Sequence, residues 1–169
     1  MKTPMKTTVS AVAAAPIAEV WRAYTSPDDI KAWNAASPDW HTTSASVDLR
    51  VGGKFTSRME AKYGSFGFDF AGEYTEVVPH QRLAYTFGGR TGLVEFAESA
   101  VGVAVRVTFD SERTHTEEQQ RSGGQAILDT FARHVAFSEE ARVLLALAQS
   151  HVKSPLLAGR ITSYLQNTI

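Results

Sequence analysis

Apolar and polar residues alternate through most of the middle of the chain and then change to a helical rhythm. Val47, Leu49 and Val51 open the series, followed by Phe55 and Met59, then by Phe68, Phe70 and Tyr74. Leu83, Tyr85 and Phe87, then Val94 and Phe96, then Val103, Val105, Val107 and Phe109 complete it. A period of two is what a strand with one buried face requires. Gly52-Gly53, Gly64, Pro79 and Gly88-Gly89 stand between the runs, where turns need them. The pattern predicts six antiparallel strands in succession. Arg58, Glu60 and Glu73 alternate with the apolar positions and are expected to face solvent. Turned inward, any of them would be the first place to look for a perturbed pKa.

Ahead of this series, Lys6 to Val12 suits a first strand. Pro16 stands where a helix can begin, with Val20, Trp21 and Tyr24 as its apolar positions. Ser26-Pro27-Asp28-Asp29 predicts a second short helix, capped by Ser26 and ending near Trp33. The polar stretch NAASPDWHTTSAS then reads as a link. From about Glu117, Ile127, Leu128, Phe131 and Val135 fall at helical spacing, predicting a long amphipathic helix to cover the sheet. Ser138-Glu139-Glu140 reads as a fresh helix start, with Ala141, Leu144, Leu145, Ala148 and Val152 as its apolar stripe. After Pro155, Leu157, Ile161, Tyr164 and Leu165 predict a last short helix, weakened by Gly159. The expected organisation is one α+β domain over residues 1–137, with a helical extension, 138–169, packed on it.

Composition narrows the function more by exclusion than by indication. With 17 Lys plus Arg against 18 Asp plus Glu, the net charge is -1, so no basic field exists for nucleic acid or anionic lipid. The absence of cysteine excludes disulfides, thiol catalysis and Cys-based metal sites, and suits the cytoplasm. Val9 to Ala15 lacks Leu, Ile and Phe, too weak an apolar run for a secretory signal despite the flanking lysines. No stretch approaches the roughly 20 apolar residues that span a bilayer. The five histidines show neither HExxH nor HxxxH spacing, and neither a metal nor an organic cofactor is expected. VGGKF lacks the spacing and hydroxyl of a phosphate loop, and YGSFG lies between strands rather than at a strand-to-helix elbow. Ser150-His151-Val152-Lys153 has no companion motif that would make it catalytic.

Four strings, in this order, carry a resemblance: VWRAYTSPDDIKAWNAASPDWHT (20–42), DLRVGGKF (48–55), GFDFAGEYTEVVPHQRLAYTF (67–87) and VTFDSERTHTEEQQRSGGQAILDTF (107–131). Together they resemble the activator of heat-shock protein 90 ATPase homologue branch of the START-like (SRPBCC) superfamily. The resemblance implies a helix-grip fold, a curved antiparallel sheet wrapped around the long C-terminal helix, often with an apolar cavity between them. Gly123-Gly124-Gln125-Ala126-Ile127-Leu128 departs from the family pattern, which has tryptophan where this chain has Gly124. The loss of an indole removes about 200 Å² of aromatic surface. Either the cavity is larger here or another group fills the gap, and the extension is the segment to fill it, cover the cavity mouth or form a homodimer contact.

The expected function is binding of a small apolar or amphipathic ligand in that cavity. Trp33, Trp40, Phe68, Phe70, Tyr74, Tyr85, Phe87 and Phe96 would serve as its walls, or equally as an ordinary core. Gly124 and Leu128 belong to the helix wall, from which Gln125 and Asp129 are expected to reach inward. Tyr74, Tyr85 and His41 would orient polar groups, and His41, beside Asp39 and Trp40, would stand at the entrance. Two alternatives differ in class: an interaction module for a chaperone partner, and a cyclase or aromatase using His41 or a buried carboxylate as general base.

Overall fold

The computed structural model describes residues 3–64 and 66–151. β1 (Lys6–Ala13), α1 (Ile17–Thr25) and α2 (Pro27–Trp33) come first. Six strands follow: β2 (Trp40–Val47), β3 (Lys54–Ala61), β4 (Gly67–Val78), β5 (Arg82–Phe87), β6 (Arg90–Ser99) and β7 (Gly102–Asp110). The last of the described elements is α3 (Glu117–His151). Strands β2 to β7 pair as an antiparallel meander, and β1 closes onto β7, giving the order β1-β7-β6-β5-β4-β3-β2. The sheet curls round the first half of α3, the α+β helix-grip arrangement expected.

The inner face follows from the alternation. Val103 and Val105 of β7, Val94 and Phe96 of β6, and Leu83 of β5 turn inward with at most 7 % exposure. They meet Leu128, Phe131 and Val135 of α3, which are no more than 3 % exposed and recur at the spacing of one helix face. Arg58, Glu60 and Glu73 lie on the outer side, where Arg58 pairs with Glu60 at 3.0 Å and with Asp69 at 3.4 Å.

Two expectations need correction. The first strand of the meander is β2, inside what reads as a polar link, whereas Leu49 and Val51 sit in the exposed turn after it. A bulge between Thr42 and Ser44 moves the inward positions from Trp40 and Thr42 to Ala45 and Val47, which erases the period-two signal. Nor does a helix begin at Ser138, because α3 runs through it as a single helix of 35 residues. No Gly or Pro interrupts 125–151, so a break there would give up helical hydrogen bonds without a compensating cap. The expected last helix, after Pro155, lies outside the described residues.

The turn before α3 is held tightly. Thr116 Oγ1 accepts from the Gln119 amide at 3.1 Å, and Gln119 Oε1 accepts from the Thr116 amide at 3.0 Å, a reciprocal capping box. Glu112 accepts from the amides of Thr114 and His115, and these bonds hold its carboxyl down at about 2. Gln120 Nε2 donates to the carbonyls of Glu112 and His115. These ties fix where α3 leaves the sheet, and so which α3 residues face it.

Candidate functional site

Between the sheet and α3 lies a cavity of about 190 Å³. The sheet wall includes Val9, Val47, Phe55, Ser57, Phe70, Tyr74, Leu83, Tyr85, Val107 and Phe109. Tyr24, Ile30, Trp33 and Asn34 come from α1, α2 and the residue after them, and Gly124, Ile127 and Leu128 from α3. A cavity of about 150 Å³ lined by apolar side chains holds benzene, so this space takes a single ring with a few further atoms.

Close approach of backbone to rings shapes the sheet wall. A Cβ on Gly72 would stand 2.6 Å from Phe55 Cζ, and one on Gly92 would overlap the Tyr85 ring. Without side chains there, the two rings lie flat along the neighbouring strands. Phe55 is thereby placed between Tyr74 and Tyr85, at centroid distances of 5.1 and 5.3 Å. Gly124 has the opposite effect. A Cβ there would stand 3.4 Å from Phe109 and 3.7 Å from Val9, ordinary contact distances, so the position has room that glycine leaves empty.

The polar content of the cavity is small and neutral. Among the described residues its lining has no carboxylate, imidazole, ammonium or guanidinium. Tyr74 and Tyr85 face each other across β4 and β5, and Tyr24 approaches from α1, stacked on Trp33 at 5.2 Å. Burial pushes the Tyr74 and Tyr85 phenols up to about 12 and the Tyr24 phenol well above its ordinary value. Proximity of the other phenols adds to the effect at Tyr24 and Tyr85. All three are protonated at neutral pH.

Of the residues singled out from sequence, Trp33, Phe70, Tyr74, Tyr85, Gly124 and Leu128 line the cavity. Phe87 and Phe96 are buried beside it. Phe87 packs on Phe70 and Tyr85 with the Arg90 guanidinium 4.4 Å from its ring centre, and Phe96 packs on Trp21 and Tyr24. Trp40 and Phe68 lie away from it, in a cluster with Phe66 at the end of β4, where Phe68 is 41 % exposed.

Four expectations fail on geometry. His41 is exposed on β2, opposite Glu60, because the strand turns the preceding and following residues inward instead. Gln125 does not reach inward. It clips α3 to the edge strand, donating to the Ser10 carbonyl at 2.8 Å and accepting from the Ser10 amide at 3.4 Å. Asp129 is drawn to the same place, accepting from Gln125 Nε2 at 2.8 Å. The buried carboxylate, Asp110, is outside the cavity and bound to Lys6 at 2.7 Å and to Thr91, so neither expected general base meets the cavity. His134, which pairs with Asp29 at 2.9 Å, ties α3 to α2. No cluster of three potential metal ligands occurs among the described residues.

Residues missed as cavity lining are chiefly Tyr24, Asn34, Ser57 and Ile127. Ile127 and Tyr24 had the apolar spacing of their helices, but spacing identifies a buried face and not which part of it borders empty space. Ser57 lies between Phe55 and Met59 on β3, an inward position concealed by its polarity.

Residues 14–136 match the model of the family described as activator of Hsp90 ATPase homolog 1-like protein. Among solved structures, the AHSA1-like protein from Aeromonas hydrophila is 48 % identical, covering 78 % of this chain and 92 % of its own, with a TM-score of 0.73. A protein from Cytophaga hutchinsonii is 39 % identical, covering 80 % and 94 %, with a TM-score of 0.69. A protein from Chromobacterium violaceum shares the fold at 24 % identity, covering 79 % and 99 %, with a TM-score of 0.69. No curated protein matches the chain.

Proposed function

The chain belongs to the activator of Hsp90 ATPase homolog 1-like family, and from that premise we propose that it binds a small apolar or amphipathic molecule between the sheet and α3. The observation that carries this reading is the cavity at Gly124, about 190 Å³ bounded by aromatic and aliphatic side chains. Interiors ordinarily pack without voids of this size, and loosely filled space costs stability in proportion to its volume. A ligand of matching size regains those contacts. Because no charged side chain lines the cavity, binding depends on shape and burial rather than on ion pairing.

Native mass spectrometry of gently purified protein, compared with its denatured mass, tests the reading. The expected result is a reproducible small-molecule adduct, lost on denaturation and absent from Gly124→Trp. A bare mass as purified, and again after incubation with single-ring aromatic compounds, would count against it.

A second reading, a module for a protein partner, draws on the second half of α3. Val143, Leu144, Leu145 and Leu147 are each at least 40 % exposed there, where a chaperone partner or a second copy of the chain would dock. The same spectrum tests the second copy through the mass of a dimer. Among the described residues, no helix is long and apolar enough to cross a membrane.

A further inference from the structure

Three tyrosines border one small space, and among the described residues their hydroxyls have no protein partners. Among the described residues, no hydrogen bond joins the Tyr24, Tyr74 or Tyr85 hydroxyl to another protein group, although all three tyrosines line the cavity. None of these oxygens is a sealed, unsatisfied atom, so each has open space beside it. Their placement is built into the fold. Tyr74 and Tyr85 are direct partners across β4 and β5, Gly92 makes room for the Tyr85 ring, and Trp33 stacks on Tyr24. The three phenols therefore belong to the sheet wall and the helix wall of one cavity.

A cavity meant for hydrocarbon alone would gain from phenylalanine at these positions, because an unpaired hydroxyl in a dry site costs stability. With water in the site the hydroxyls are satisfied, but a ligand that displaces that water must replace its hydrogen bonds or lose affinity. The phenols are held protonated and so are available as donors. An anion is disfavoured, since among the described residues no cation lines the cavity, and Arg90, whose charge reaches the Tyr85 phenol, is held over the buried Phe87 ring and donates to the Asp110 carbonyl. Desolvating a carboxylate without a partner charge is costly.

Resting on the ligand-binding reading above, we infer that the cavity selects a neutral, single-ring ligand carrying a hydrogen-bond-accepting oxygen, of the aryl ketone type. Tyr24, Tyr74 and Tyr85 supply the donors, and the apolar walls hold the ring.

The test uses two planar isosteres, acetophenone and α-methylstyrene, in which a carbonyl oxygen is exchanged for a methylene. Dissociation constants for both are measured on the whole protein and on Tyr24→Phe, Tyr74→Phe, Tyr85→Phe and the triple variant. For each hydroxyl that donates, acetophenone binding should weaken about 2- to 12-fold, the range of one neutral hydrogen bond. Binding of α-methylstyrene should change by less than about twofold, which also reports that each variant is folded. If both compounds shift in parallel in every variant, or if the ketone is unaffected, the inference is overturned while ligand binding stands. If benzoate binds as tightly as acetophenone, neutrality is wrong. If neither isostere binds the unsubstituted protein, the ligand-binding reading fails with it.

Discussion

At one end of the space between sheet and helix, Phe131 is fully buried and meets Tyr24 and Trp33 at centroid distances of 5.2 and 5.0 Å. Phe96 fills the next layer against Trp21 and Tyr24 at 5.3 and 5.6 Å. Seven residues earlier on α3, the same helix face presents Gly124, and there the aromatic rings of the sheet border open space. The two ends share Tyr24, Trp33 and one face of the same helix. What differs is whether α3 supplies a ring, and the result is a packed core at one end and a cavity at the other.

Replacing the filling residue at the packed end should have the largest effect. Phe131→Ala should destabilise the protein by about 3 to 5 kcal/mol, measured as a shift of the denaturant midpoint. A loss below about 1 kcal/mol would mean that the two ends are equally loose.

The reciprocal change sharpens the comparison from the other side. Gly124→Trp should reduce binding of single-ring compounds by more than about tenfold while leaving the denaturant midpoint unchanged or raised, because it fills space and replaces a helix-interior glycine. If binding is unaffected, Gly124 does not border the site.

A smaller effect distinguishes the ends by titration. Free tyrosine ionises near pH 10, whereas Tyr74 and Tyr85 do so at about 12 in the fold. A raised folded pKa makes these groups stabilising below about pH 10, and that contribution is lost as pH rises toward 12. Ultraviolet titration should show Tyr74 and Tyr85 ionising only near the alkaline unfolding transition. Their ionisation near pH 10 would show that the cavity is freely wet.

The smallest effect concerns the turn that aims α3. Glu112 has its pKa lowered from 4.5 to about 2, so it stabilises the fold above the unfolded value and loses that contribution as pH falls between them. Glu112→Gln should flatten the acid side of the stability profile in this window. An unchanged profile would mean that the turn does not hold the helix in place.

The strands and helices were legible where each position obeyed one rule. Alternation in β3 to β7 and the spacing of Leu128, Phe131 and Val135 led directly to the sheet and the helix that covers it. β2 escaped because its bulge changes which residues point inward and because Thr42 and Ala45 among them are polar or small. Ser138 misled because a capping residue type was present where the chain gained nothing by stopping. The site was legible in part. Gly124 stood out through its departure from the family pattern, and the tyrosines through their place in the strands. His41 and Gln125 failed since a residue's neighbours in sequence do not reveal the direction of its side chain. Tyr24 reads as a helix-face residue in the sequence, and only the fold brings it to the same cavity as Tyr74 and Tyr85.

The most direct test of the cavity as a binding site is a methyl-resolved NMR titration of the whole protein with α-methylstyrene, repeated on Gly124→Trp. Saturable shifts at Leu83, Val107, Ile127 and Leu128, lost in the variant, are the outcome this account predicts. Shifts confined to Val143, Leu144, Leu145 and Leu147, or none at all, would contradict it.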